Sequence, residues 1–189
     1  MKGFIFLILA CPAIAIAANQ QDLEKLKKID EPQVLQMDLS NTDLRAYLFA
    51  PGKIDLQKAN LSHSNLSGVE LSKMNLGGAD LSYADLSNAR LNQVNLADSN
   101  LDHANLTGAQ MQQTDLSRAN LNFANLSQTN LQQAILTKAN LNCANLNQAD
   151  LSKADFAEAN ISGATFVNTL TSNMIGYETI IETRVKCSE

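Results

Sequence analysis

A five-residue repeat runs without a gap through most of this chain. With its leucine taken as position i, the centres fall at every fifth residue from Leu56 to Phe166, twenty-three in all. Nineteen are Leu, and the others are Met111, Phe156, Ile161 and Phe166. Position i−2 is Ala in 15 of the 23, with Val69, Met74 and Val94 among the exceptions, and position i−1 is Asn or Asp in 18, so the pattern is stricter than composition bias requires. A helix would place apolar residues at i, i+3, i+4 and i+7, and a strand would alternate them. Apolar residues at i−2 and i, followed by two polar ones, suit a chain that turns a corner every five residues and points two side chains inward from each side. One pentad cannot bury its leucine, whereas stacked coils can, with backbone groups paired to the coils above and below. Each buried leucine then contributes about 1.5–3 kcal/mol before chain entropy is subtracted. The expected fold is an all-β solenoid.

The stretches ANLSH, ADLSY, ADLSN, ANLTG, ANLNF and ANLNC resemble the pentapeptide-repeat family, with its consensus A-(D/N)-L-x-x, from residue 54 to about 168. The resemblance implies a right-handed quadrilateral β-helix with four pentads per 20-residue coil. At a strand spacing of ~4.8 Å, the twenty-three pentads make a rod roughly 28 Å long. Met37-Asp38-Leu39 and Thr42-Asp43-Leu44 fit the same code in a shifted register. Phe49 serves as a third early centre if Gly52 and Lys53 are a two-residue insertion at a corner. The repeat is therefore expected over residues 37–168.

Residues 1–17, MKGFIFLILACPAIAIA, read as a signal peptide: Lys2, an apolar run, then Ala15-Ile16-Ala17 ahead of a cut before Ala18. The apolar run is shorter than the ~20 residues that span a bilayer. A periplasmic or secreted protein is the first expectation. A lipoprotein anchored through Cys11 is the second, because Ile8-Leu9-Ala10-Cys11 resembles a lipobox, and a retained membrane anchor is the third. Export leaves Cys143 and Cys187, which in an oxidising compartment form either a disulfide or two free thiols. Residues 18–36 are expected to form an N-terminal cap, with a short helix over Asn19–Ile29 begun by Asn19 and followed by Pro32. Residues 169–189 are expected to form a C-terminal cap, with a strand in Tyr177–Cys187. The family resemblance adds a homodimer through the C-terminal end.

Four pentads per coil stack residues twenty apart in columns. The i+2 column His63, Tyr83, His103, Phe123, Cys143, Gly163 holds both histidines of the chain and the only two aromatics among outward repeat positions. It reads either as a semi-apolar stripe for a protein or glycan partner, or as side chains of neighbouring coils stacked for stability or covered by a terminal segment. The histidines do not suit a metal, because an intervening coil holds them roughly 9–10 Å apart. No cofactor or metal is expected.

The charge balance is −5, with 14 basic and 19 acidic residues, which argues against a nucleic-acid partner. There is no GxxxxGK[ST], HExxH or CxxC motif and no nucleophile–base pair, so no enzymatic activity is expected. The expected function is an exported, non-enzymatic structural or interaction module of the bacterial envelope. The alternative is a DNA-mimic inhibitor or protector of a type II topoisomerase, a role the resemblance raises. Against it, residues 54–168 carry ten acidic and six basic groups, far from the charge of a duplex, one per ~1.7 Å of axis. The spacings Asp98–Arg118 and Lys138–Glu158 instead predict surface ion pairs across coils.

Overall fold

A computed structural model describes residues 33–34, 38–45 and 54–176. From Asn60↔Asp80 to Asp155↔Ile175, every β-bridge is parallel and joins residues twenty apart. Four pentads therefore close each coil, and the architecture is the right-handed quadrilateral β-helix expected.

The backbone N–H at each of the five positions has a defined partner. In the pentad centred on Leu61, the Leu61 N–H donates to Asp80 O (2.7 Å) and the His63 N–H to Ser82 O (2.9 Å), both in the next coil. The Ser64 N–H donates back to Leu61 O (3.2 Å), closing the corner, and the Asn65 N–H donates to Thr42 O (2.8 Å) in the coil before. That leaves the N–H at i+1, which no backbone carbonyl reaches. The side chain at i−1 takes it: Asn60 Oδ1 accepts from the Ser62 N–H at 3.1 Å. The same contact recurs at Asp80–Ser82, Asn100–Asp102, Asn120–Asn122 and Asn140–Asn142. Asn and Asp dominate i−1 because their short side chains reach the N–H two residues on, whatever their charge. Where i−1 is Gln110, Asn92 Oδ1 of the preceding coil accepts from the Gln112 N–H instead, at 2.9 Å.

The corner sets a second requirement. The i+2 residue has positive φ in each described repeat, and 21 of these residues are not glycine, from Asn41 (55°) to Asn173 (56°). A single positive φ at the third position of a four-residue turn is the type II pattern. Side chains are tolerated there because they point outward, away from the core, although the conformation itself costs a non-glycine residue about 1–2 kcal/mol.

Inside, Leu61, Leu81, Leu101, Leu121 and Leu141 are fully buried, and Ala at i−2 packs beside them in one continuous core. Polar residues at i−2 are buried as well and bond to backbone carbonyls: Ser64 Oγ donates to Leu61 O (2.6 Å) and Thr129 Oγ1 to Leu126 O (2.7 Å) in their own corners, and Thr114 Oγ1 to Leu91 O (2.7 Å) in the preceding coil.

The repeat extends past both expected boundaries. Gln33–Val34 (β1) pairs in parallel with Ile54–Asp55 (β2), so the solenoid already includes residue 33, within the stretch assigned to the cap. The offset is 21 there, 22 at Asp38↔Asn60 and 20 from Asn60 onward. One residue is missing between Val34 and Asp38, which breaks the five-residue step and hides this strand from a pentad count. Two extra residues lie between Asp43 and Asp55, and the expected insertion at Gly52 and Lys53 falls outside the described residues. At the other end, the Leu170 N–H donates to Ala149 O and the Ile175 N–H to Ala154 O, both at 2.9 Å, which carries the coil to residue 176 rather than 168. The side-chain code has lapsed by then, with Thr171 at a centre and Leu170 and Ile175 at i−1, but the ladder needs only backbone. The helix expected over 19–29, the centre at Phe49 and the strand expected within 177–187 lie outside the described residues.

Two substitutions separate core from corner. Leu121→Ala should lower stability by about 2–5 kcal/mol, through lost burial and the cavity left behind. Gln128→Gly, at φ 60°, should raise it by about 0.5–1 kcal/mol, since glycine adopts this conformation without strain. Urea denaturation of both variants checks the pair of opposite signs.

Candidate functional site

The corner residues at i+2 project outward on four sides of the rod, and twenty-residue stacking turns each side into a column. In one column, the rings of His63, Tyr83, His103 and Phe123 are stacked on one another. Centroid separations are 4.9, 4.7 and 4.9 Å, with interplanar angles of 4°, 14° and 28°. The spacing is that of adjacent strands, so the coils themselves hold the rings in register. Tyr83 is 51% exposed, His63 and His103 are also exposed, and Phe123 is half-buried.

The stacking has a chemical consequence. Tyr83 and His103 have both ring faces covered by neighbours, so a partner meets ring edges, the Tyr83 hydroxyl and imidazole nitrogens. A sugar ring, which would pack on an aromatic face, finds none free at these two residues. The Tyr83 ring also separates the two histidines, and among the described residues no three metal-ligating side chains converge.

Sequence reasoning missed the groups beside His103. Its Nδ1 lies 2.9 Å from Asp102 Oδ2. Asp102 Oδ1 accepts from Asn122 Nδ2, and Asn122 Oδ1 from Asn142 Nδ2, both at 2.8 Å. An amide row thus runs alongside the rings and fixes the carboxylate. The signal was available, since 102, 122 and 142 are also twenty apart, but i+1 carries no aromatic to draw attention to it.

Cys143 occupies the next rung after Phe123 and is disulfide-bonded. Its partner lies outside the described residues, as does Cys187.

The column at Asp98 is charged, and the expected pairs are present. Arg118 Nε and Nη2 each donate to an Asp98 carboxylate oxygen at 2.6 Å, and Lys138 Nζ is 3.6 Å from Glu158 Oε2. The hydrogen bond from Arg118 holds the Asp98 carboxyl below its ordinary value of 3.8, and the same contact raises the Arg118 guanidinium. Both side chains are more than half exposed, so the pair contributes little to stability.

A model of pentapeptide repeats matches in eight copies, over residues 54–93, 79–118, 114–152 and 134–170. The chain belongs to the pentapeptide-repeat family. It is 36% identical to the pentapeptide repeat protein Rfr23 of the cyanobacterium Cyanothece 51142, over 48% of this chain and 63% of that one, with a TM-score of 0.48. It is 29% identical to a pentapeptide repeat protein of the Arabidopsis thaliana thylakoid lumen, over 53% and 63% of the two chains, with a TM-score of 0.40. QnrB1, a plasmid-mediated fluoroquinolone resistance protein, is 18% identical over 77% and 68%, with a TM-score of 0.45, a likeness of fold only. The chain thus spans about 63% of the length of the first two relatives. No curated protein matches it.

Two measurements follow from these contacts. Because the folded Asp98 value lies below the unfolded one, the Arg118 pair stabilises fully above 3.8 and is lost as pH falls through the lower folded value. Arg118→Gln should therefore shift the urea midpoint slightly at neutral pH and leave it unchanged in strong acid, as paired titrations would show. A Cys143–Cys187 bond, one of the two sequence-based alternatives for this pair, should appear as one linked peptide pair in a non-reducing digest, with a mass gain of about 2 Da on reduction. A Cys143 peptide linked elsewhere would refute that pairing.

Proposed function

We infer that this protein is an exported, non-enzymatic interaction module of the bacterial envelope, which docks a protein partner along the His63–Tyr83–His103–Phe123 stripe. The stripe carries the reading: it is an exposed, partly apolar surface on a rod whose charged corner residues Asp98–Arg118 and Lys138–Glu158 pair with one another. Aromatic edges with a hydroxyl and imidazole nitrogens suit a protein surface, which offers both apolar contact and hydrogen bonds. Covered ring faces make a glycan the weaker partner here. The compartment rests on the leader-like residues 1–17 and their Ala15-Ile16-Ala17 end. Among the described residues, no helix is long and apolar enough to cross a membrane.

The topoisomerase alternative draws on a protein described as conferring fluoroquinolone resistance, a likeness that does not extend beyond fold. It needs a continuous acidic track. Asp98, Glu70 and Glu158 instead face Arg118, Arg90 and Lys138.

Intact mass of the protein recovered separately from cytosol and envelope tests the compartment. A species beginning at Ala18 is expected. A full-length cytosolic species would overturn export and make a supercoiling-protection assay the next step. Tyr83→Ser combined with Phe123→Ser tests the stripe, and should fold with a near-native melting temperature yet lose proteins crosslinked to the native rod. Unfolding of that variant would assign the rings to coil stacking.

A further inference from the structure

Two pentads further along each coil, on the side of the rod opposite the rings, the i+1 and i+2 positions form parallel rows of primary amides. Asn92, Gln112 and Gln132 make one row and Gln93, Gln113 and Gln133 the other, and together they line a shallow groove of about 300 Å³. The outer row is bonded along the rod axis: Gln93 Nε2 donates to Gln113 Oε1 at 2.9 Å, and Gln113 Nε2 to Gln133 Oε1 at 3.1 Å. The inner row is anchored as well, with Gln112 Nε2 donating to Gln132 Oε1 at 3.5 Å and Gln132 Nε2 to Asp150 Oδ2 at 2.6 Å.

A primary amide has two N–H donors and two acceptor lone pairs. Gln113, in mid-row, uses one of each on its neighbours. Its second N–H and second lone pair remain for a ligand, and the row holds the amide plane fixed before any ligand arrives. The outer row is exposed throughout, and its pattern recurs at the coil spacing of ~4.8 Å.

We propose that this amide-lined groove binds a linear polysaccharide laid along the rod axis. A hydroxyl both donates and accepts, so it complements a donor–acceptor pair, and a polymer of sugars repeats its hydroxyls as the rod repeats its amides. Amides already held in place lose little freedom on binding. A peptide strand fits worse: its edge offers N–H and C=O every second residue, about 6.6–6.8 Å apart, and falls out of step with the coils. A nucleic acid needs cations along the row, yet the column reads Lys73, Gln93, Gln113, Gln133, Lys153, with charge only at its ends. The groove shares no residue with the ring stripe, so it stands or falls separately from the function proposed above.

Titration of the full ¹⁵N-labelled chain with soluble cellohexaose and chitohexaose tests the site. At least one hexamer should shift the side-chain amide resonances of Gln93, Gln113 and Gln133. Gln113→Ala should weaken binding at least tenfold, and Gln93→Ala, at the end of the row, should weaken it less. Tyr83→Ser combined with Phe123→Ser should bind like the native chain. Absence of shifts with both hexamers would overturn the proposal, as would an affinity unchanged in Gln113→Ala. Binding lost only in the ring variant would place the sugar on the opposite side and overturn it equally. A Gln113→Ala chain that melts early, from a native chain that binds neither hexamer, would assign the amides to coil stacking alone.

Discussion

The whole molecule depends on a parallel backbone ladder that advances by one coil every twenty residues. Each pentad sends two N–H groups forward to the next coil and one back to the coil before, while a fourth closes the corner. In a parallel ladder of single-residue bridges, one residue gained or lost flips the following side chains between core and solvent unless a corner absorbs the change. The two irregular steps, between Val34 and Asp38 and between Asp43 and Asp55, are confined to the first coil. From Asn60 onward the step is constant, and there the core is continuous.

That constancy separates two jobs that most folds mix. The inward positions i and i−2 are restricted by volume, so they vary little beyond Leu, Ala and a few close substitutes. The outward i+2 position is restricted only by its positive φ, and the rod accepts Lys, Gln, Arg, His, Tyr, Phe and Cys there. Surface chemistry is therefore written in columns whose members lie twenty residues apart. The rings, the ion pairs and the outer amide row Gln93–Gln113–Gln133 are three such columns on one scaffold. In each, the coil spacing brings complementary groups to contact distance without any further device.

The same backbone logic explains where the repeat ends. Residues 169–176 keep the ladder although their side chains no longer follow the code, because the preceding coil supplies a template of carbonyls and N–H groups. Val167, Leu170 and Ile175 are consequently exposed on the last coil, where earlier coils carry polar residues in these columns apart from Ile135.

The period, the buried positions and the quadrilateral fold were legible in the sequence, because a Leu every fifth residue permits few other structures and the family resemblance supplied the coil. The twenty-residue columns followed, and with them the Asp98–Arg118 and Lys138–Glu158 pairs and the ring column. Three things required the tertiary structure. The task of Asn and Asp at i−1 is one, since only the finished ladder shows that the i+1 N–H alone lacks a backbone acceptor. The orientation of the rings is another: column membership places His63, Tyr83, His103 and Phe123 together, but side-chain rotation decides whether faces or edges meet a partner. The limits of the repeat are the third. Sequence periodicity records side chains, whereas the solenoid is propagated by hydrogen bonds between peptide groups, which every residue but proline carries in full.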